Sequence, residues 1–158
     1  MRVTDLLSVS RWAAATILLL AMTTASAEIS IHDAWSRATP PGHPTGAVYF
    51  KLVNDGDRGD QIVGVRSDRA PRVELHQTIE EGGNARMIHT PEVRVPANSE
   101  VIFEPGGRHV MFMGLRQSLV EGETYDIVLE LERAGDITVP VVVRAATAMG
   151  DDHGHMNH

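Results

Sequence analysis

From residue 28 to residue 144 the chain alternates short runs of apolar and polar positions with clusters of turn residues. The clearest run is 72–77, in which Val73 and Leu75 fall on one face of an extended strand and Glu74 and His76 on the other. Comparable runs occupy 28–37, 47–53, 61–66, 85–90, 100–104, 124–131 and 137–144, and 93–95 is a shorter candidate. One more strand follows the turn at Pro105, Gly106 and Gly107, where His109, Met111 and Met113 share a face and Val110 and Phe112 share the other. Turns are marked by Pro40, Pro41 and Gly42, by Asn54 to Gly59, and by Gly82 and Gly83 in a hairpin-type loop over 80–84. No stretch of this region keeps a helical period over several turns. The pattern predicts eight or nine short strands in one all-β domain, an antiparallel sandwich or barrel.

The two ends read differently. Arg2 and Arg11 precede an apolar run from Ala13 to Met22, and Ala25 and Ala27 form an A-x-A site. That is the layout of a cleaved signal peptide over 1–27, and the run is shorter than the roughly 20 residues a bilayer span needs. The expectation is an exported, periplasmic protein beginning at Glu28, with no stable membrane insertion after cleavage. Beyond residue 144 the strand pattern dissolves into a tail over 145–158 that holds His153, His155, Met156 and His158.

Composition narrows the chemistry. A length of 158 residues suits one domain with a real core. The formal net charge of −7 lacks basic clusters, which argues against nucleic acid and suits cations. There is no cysteine, so the fold rests on its core alone. The same absence removes the thiolate that a blue-copper electron carrier requires. Motifs for acyl transfer, phosphate binding or a zinc protease are missing, and the chain is read as not an enzyme.

The candidate chemistry lies in histidine and methionine. His109 and Met111 stand two apart on one strand face, an arrangement that a helix would not allow. Soft thioethers beside imidazoles favour Cu(I). His76 lies on the polar face of its strand, and Met87 lies in the strand of the following hairpin. Ten residues separate His76 from Met87, twenty-one separate Met87 from His109, and one separates His109 from Met111. A sandwich can bring these strand ends to one rim, where two imidazoles and two thioethers would hold Cu(I) tetrahedrally.

This spacing resembles the H-x10-M-x21-H-x-M signature of the periplasmic copper chaperone family PCu(A)C. The flanks are similar too: Asp33, Trp35 and Arg37 before Pro40, Pro41 and Gly42; Val73, Glu74 and Leu75 before His76; and Pro105 to Gly107 before Met111, Met113, Gly114 and Leu115. The resemblance covers roughly 29–143. It implies a cupredoxin-like Greek-key β-sandwich or barrel with His76, Met87, His109 and Met111 as Cu(I) ligands. It also implies delivery to cytochrome c oxidase assembly, through subunit II at its CuA site or a Sco-type copper protein. A methionine that the family often carries near the first histidine is replaced here by Gln77 and Thr78, which removes an auxiliary sulfur but no core ligand.

The remaining residues have lesser roles. Met113 matches a packing position in the family. His89 shares a face with Met87, where a reserve ligand is an alternative to a plain surface role, while His32 and His43 are surface residues. The tail set of His153, His155, Met156 and His158, near Asp151 and Asp152, suits Cu(II) as a secondary site. The protein is expected to be a monomer. A copper storage or resistance protein without an oxidase target is the alternative reading.

Overall fold

The computed structural model describes residues 28–148. The signal peptide expected over 1–27 and the tail site at His153, His155, Met156 and His158 lie outside the described residues. Ten strands form: β1 (Ile29–Arg37), β2 (Thr45–Asn54), β3 (Asp60–Arg66), β4 (Arg72–Glu81), β5 (Asn84–His89), β6 (Val93–Val95), β7 (Ser99–Phe103), β8 (Arg108–Met113), β9 (Thr124–Leu131) and β10 (Gly135–Arg144). They join in one sheet in the order β5-β4-β8-β7-β2-β1-β10-β9-β3-β6, with β8 also paired to β2. The architecture of the described residues is all-β. Among the described residues no helix is long and apolar enough to cross a membrane.

The count exceeds the expected eight or nine. The short β6 forms because it has both a ladder and a core to join. It pairs with β3 from Asp60↔Val95 to Ile62↔Val93 and buries Val93 and Val95. β4 also runs four residues beyond its expected end. Gly82 and Gly83 both have positive φ, 61° and 80°, so the connection is a two-residue hairpin turn. Such a turn extends the ladder to Glu81↔Asn84. Residues 80, 81 and 84, assigned to loop from their composition, are therefore strand.

β1 links two groups of strands. Its first half, through His32, pairs with β2 alone. A bulge follows, with Asp33 at φ 52°, and Trp35 and Ser36 then pair with β2 on one side and β10 on the other. On one side of β1 lie β2, β7, β8, β4 and β5; on the other lie β10, β9, β3 and β6. Between them sits a single apolar cluster that includes Val48, Leu52, Ile62, Val110, Phe112, Ile127, Leu129 and Val141. Val110 and Phe112 of β8 are completely buried, and Leu75 of β4 is nearly so. The alternate residues of β4 and β8 must then point away from this core.

Asp60 fastens the far end of the fold. Its Oδ1 accepts the backbone N–H of Gln61 at 2.8 Å and of Arg133 at 2.9 Å, and its Oδ2 accepts that of Ala134 at 2.9 Å. The start of β3 is thereby tied to the β9–β10 turn. Asp60→Ala would leave three backbone donors without their charged acceptor. We expect it to lower stability by about 2–3 kcal/mol, read as a shift in urea midpoint at constant m-value.

Candidate metal centre

The site is laid out by two antiparallel ladders that flank β4. In the β4–β8 ladder His76 lies opposite His109 and Glu74 opposite Met111. In the β4–β5 ladder His76 lies opposite His89 and Thr78 opposite Met87. Residues directly opposite in such a ladder share a face. So His76, Met87, His109 and Met111 all stand on the face turned away from the core, together with Glu74, His89 and Met113. This is a patch within the β5–β4–β8 face, rather than a set of strand ends gathered at a rim. The ring centroids of His76 and His109 are 5.9 Å apart, and those of His76 and His89 are 5.7 Å apart. Three imidazoles thus run in a row across three strands.

Hydrogen bonds fix the tautomer of two of them. The His109 Nδ1 lies 3.2 Å from the backbone carbonyl of Gly107. A carbonyl only accepts, so Nδ1 carries the proton and Nε2 keeps its lone pair. The same carbonyl accepts the backbone N–H of Thr78 at 3.0 Å. It is held in place by the turn at Pro105, in which Gly106 takes a φ of 82° and Gly107 N–H donates to Glu104 O. His76 is oriented from its own strand. Its Nε2 lies 2.9 Å from Glu74 Oε2, while Glu74 Oε1 lies 3.6 Å from Arg72 Nε. The hydrogen bond from His76 is the largest influence on Glu74 and outweighs desolvation, so its carboxyl titrates below the usual range. An ionised carboxylate only accepts, so His76 donates through Nε2 and Nδ1 keeps its lone pair.

The two remaining nitrogens, His76 Nδ1 and His109 Nε2, are buried and have no hydrogen-bond partner. Buried polar atoms are normally satisfied. Two orphaned lone pairs on directly opposed residues fit a metal ion that accepts both. Met111 stands one ladder step from His109 and is half-buried. Met87 stands one step beyond His76 on β5 and is 50% exposed, against 4% for His109. Among the described residues no three His, Cys, Asp or Glu side chains converge closely enough to hold a metal. A complete coordination sphere here has to draw on the thioethers. The donor set is neutral and soft, which suits Cu(I).

One role went unread in the sequence. Glu74 was assigned only to a polar face, yet it orients His76. The strict alternation that put it beside His76 was the available signal. Met113 lies on the face of His109 and Met111, as the alternation places it, and its sulfur accepts from Arg72 Nη2 at 2.8 Å. His32 and His43 are exposed as expected. His43 nevertheless borders a cleft that also reaches Arg37, Tyr49 and Met111.

This β-barrel, with two buried imidazole nitrogens on a face that also carries thioethers, belongs to the cupredoxin-like class. A sequence family described as "Putative lipoprotein LpqE-like" matches residues 29–143. This chain belongs to that family, and its domain is of the PCuAC kind. "Putative lipoprotein Lxx21020" of Leifsonia xyli subsp. xyli is 27% identical over 126 residues, covering 79% of this chain and 75% of that one. The copper-bound PCuAC domain from PmoF2 is 28% identical with a TM-score of 0.64, covering 75% of this chain and 93% of that domain. The solution structure of CuI-DR1885 from Deinococcus radiodurans is 30% identical with a TM-score of 0.63, covering 80% of this chain and 85% of that one.

Burial holds the His109 imidazole below its ordinary value of 6.5, and His76 adds to the effect, against the opposing pull of the Gly107 carbonyl. The folded state therefore binds fewer protons than the unfolded state in the window beneath 6.5. The stabilisation is complete above that value and is lost as pH falls through the depressed folded value. We expect the metal-free protein to lose stability on acidification below about pH 6.5, and His109→Gln to flatten that part of the profile. Urea midpoints of both proteins across the window check this.

Proposed function

We propose that this protein is a periplasmic Cu(I) metallochaperone that holds copper through His76, Met87, His109 and Met111 and releases it by ligand exchange. The observation that carries the reading is the pair of buried, unpartnered nitrogens, His76 Nδ1 and His109 Nε2, on opposed residues of β4 and β8. Copper in the PCuAC domain from PmoF2 and in CuI-DR1885 supports the choice of metal.

The mechanism follows from the gradient of exposure across the donors. His109 is nearly sealed and is the fixed end of the site. Met87 is half exposed on β5, which ends the strand order and offers an unpaired edge. An acceptor's ligand attacks copper from that side as the Met87 thioether leaves. Met111, His76 and His109 follow in turn. No ligand has to be deprotonated from a thiol, so the transfer moves copper without moving a thiol proton. The Glu74 carboxylate keeps the His76 ring turned toward copper throughout, and the Gly107 carbonyl does the same for His109. No covalent chemistry is required, in keeping with a carrier rather than an enzyme.

The proposed acceptor is cytochrome c oxidase, at the CuA site of subunit II or by way of a Sco-type protein. Export by the 1–27 leader would place the monomeric protein where that site is assembled. The tail residues His153, His155, Met156 and His158 form a secondary Cu(II) site in this proposal. In a deletion strain, loss of oxidase activity that added copper restores supports delivery. Copper sensitivity with normal oxidase would instead point to storage.

Competition titration against a chromophoric Cu(I) chelator tests the site. Met111→Ala abolishes the tight site in the full chain, whereas removal of the tail leaves it intact. Glu74→Ala, which frees the His76 ring to turn, weakens Cu(I) binding about 10–100-fold. Protons compete with copper for both imidazoles, so affinity falls as pH drops below about 6.5. The depressed value of His109 delays its own share of that loss to lower pH. An affinity that stays flat from neutral to acid pH contradicts the ligand set.

A further inference from the structure

We infer that residues 149–158 dock in the cleft between Arg37 and Met111, with Asp151 and Asp152 on the Arg37 guanidinium, so that the tail donors stand beside Met111 and hand Cu(I) to the folded site from that flank. This rests on the copper site proposed above and gives it an entry side. Met87 lies on the other flank, since β8 and β5 sit on opposite sides of β4.

The first observation is where Ala148 is held. After β10 the chain makes a turn in which Ala148 N–H donates to Ala145 O at 2.9 Å, and Arg37 Nε donates to Ala148 O at 2.8 Å. Arg37 lines a cleft with His43, Ala47, Tyr49 and Met111. The chain therefore leaves Ala148 at one wall of this cleft, and a proposed copper ligand forms another. The β2–β8 ladder explains the opening. Ala47 lies opposite Met111, and directly opposed residues share a face. A methyl group at that position leaves the space beside the Met111 thioether open.

The second observation is charge. Arg37 is half-buried, and its guanidinium lies 5.8 Å from the ring centroids of both Trp35 and Tyr49, which hold it in place. Among the described residues no carboxylate forms an ion pair with it. Residues 149–158 carry Asp151 and Asp152 and no lysine or arginine. Three residues span at most about 10 Å and ten at most about 35 Å. Asp151 is thus within reach of the arginine that already holds Ala148, and His153, His155, Met156 and His158 have the length to continue along the cleft to Met111. In the handover a bond from Cu(I) to a tail donor breaks as the bond to Met111 forms, and the oxidation state does not change. Copper held by the tail as Cu(II) takes no part in this step.

The chain has no cysteine, so Asn157→Cys in the full chain accepts a single nitroxide label. In the metal-free protein we expect the label to attenuate the amide signals of His43, Gly46, Ala47 and Met111. Asp151→Asn with Asp152→Asn should remove that attenuation, and Arg37→Gln should do the same, with its urea midpoint verifying that it folds. Attenuation confined to residues adjoining Ala148, or unchanged without the two carboxylates, overturns the docking. Stopped-flow uptake from a chromophoric Cu(I) chelator tests the entry role. The Asp151→Asn, Asp152→Asn protein should load about threefold more slowly or worse, at unchanged equilibrium affinity. An equal rate overturns the entry role. The label experiment needs no copper, so it stands apart from the ligand set: if His109→Ala binds Cu(I) as tightly as the parent, the proposed copper site is wrong whatever the tail does.

Discussion

The register of the β4–β8 ladder is the constraint on which the rest depends. It sets His76 against His109 and Glu74 against Met111. A slip of one residue would turn Leu75, Val110 and Phe112 outward and the imidazoles into the core. Burial of those three apolar residues therefore fixes the candidate metal face as firmly as it fixes the fold. The Gly107 carbonyl adds a second lock. It binds the backbone of β4 through Thr78 and the side chain of β8 through His109, so the turn that starts β8 also sets the ring that β8 presents.

The face so defined is graded rather than uniform. Its inner end is an imidazole with 4% exposure, held in one tautomer by a backbone carbonyl. Its outer end is an edge strand carrying a thioether with 50% exposure and an exposed imidazole. A storage site gains from enclosing all its ligands. A carrier gains from one secure end and one that another protein can reach. The absence of cysteine fits the same logic, since thioethers and imidazoles cannot be trapped as disulfides outside the cytoplasm.

Much of this was legible in the sequence because strand period is simple. Alternation at residues 72–77 assigned Val73 and Leu75 to one face and Glu74 and His76 to the other, and the ladders keep that division. The strand over 124–131 has the same limits in the structure. What could not be read was anything set by partners distant in the chain. The 93–95 segment became a strand because β3 was there to pair with it. The length of β4 depended on a two-glycine turn whose φ angles composition only suggested. Which strand lies beside which is likewise a tertiary fact, and so the nearness of His89 to His76 had no signal beyond a shared face with Met87. The orienting role of Glu74 needed a distance, 2.9 Å, that no spacing rule supplies.

The central claim is that two imidazoles are held in complementary tautomers, each with one buried lone pair aimed at a shared metal. Long-range 1H–15N correlation spectra of the histidine rings, recorded on the full chain before and after one equivalent of Cu(I), address it directly. The account predicts a protonated Nδ1 in His109 and a protonated Nε2 in His76 without copper, with the large shifts on loading confined to His109 Nε2 and His76 Nδ1. Shifts at the opposite nitrogens, or only at the tail histidines, would contradict it.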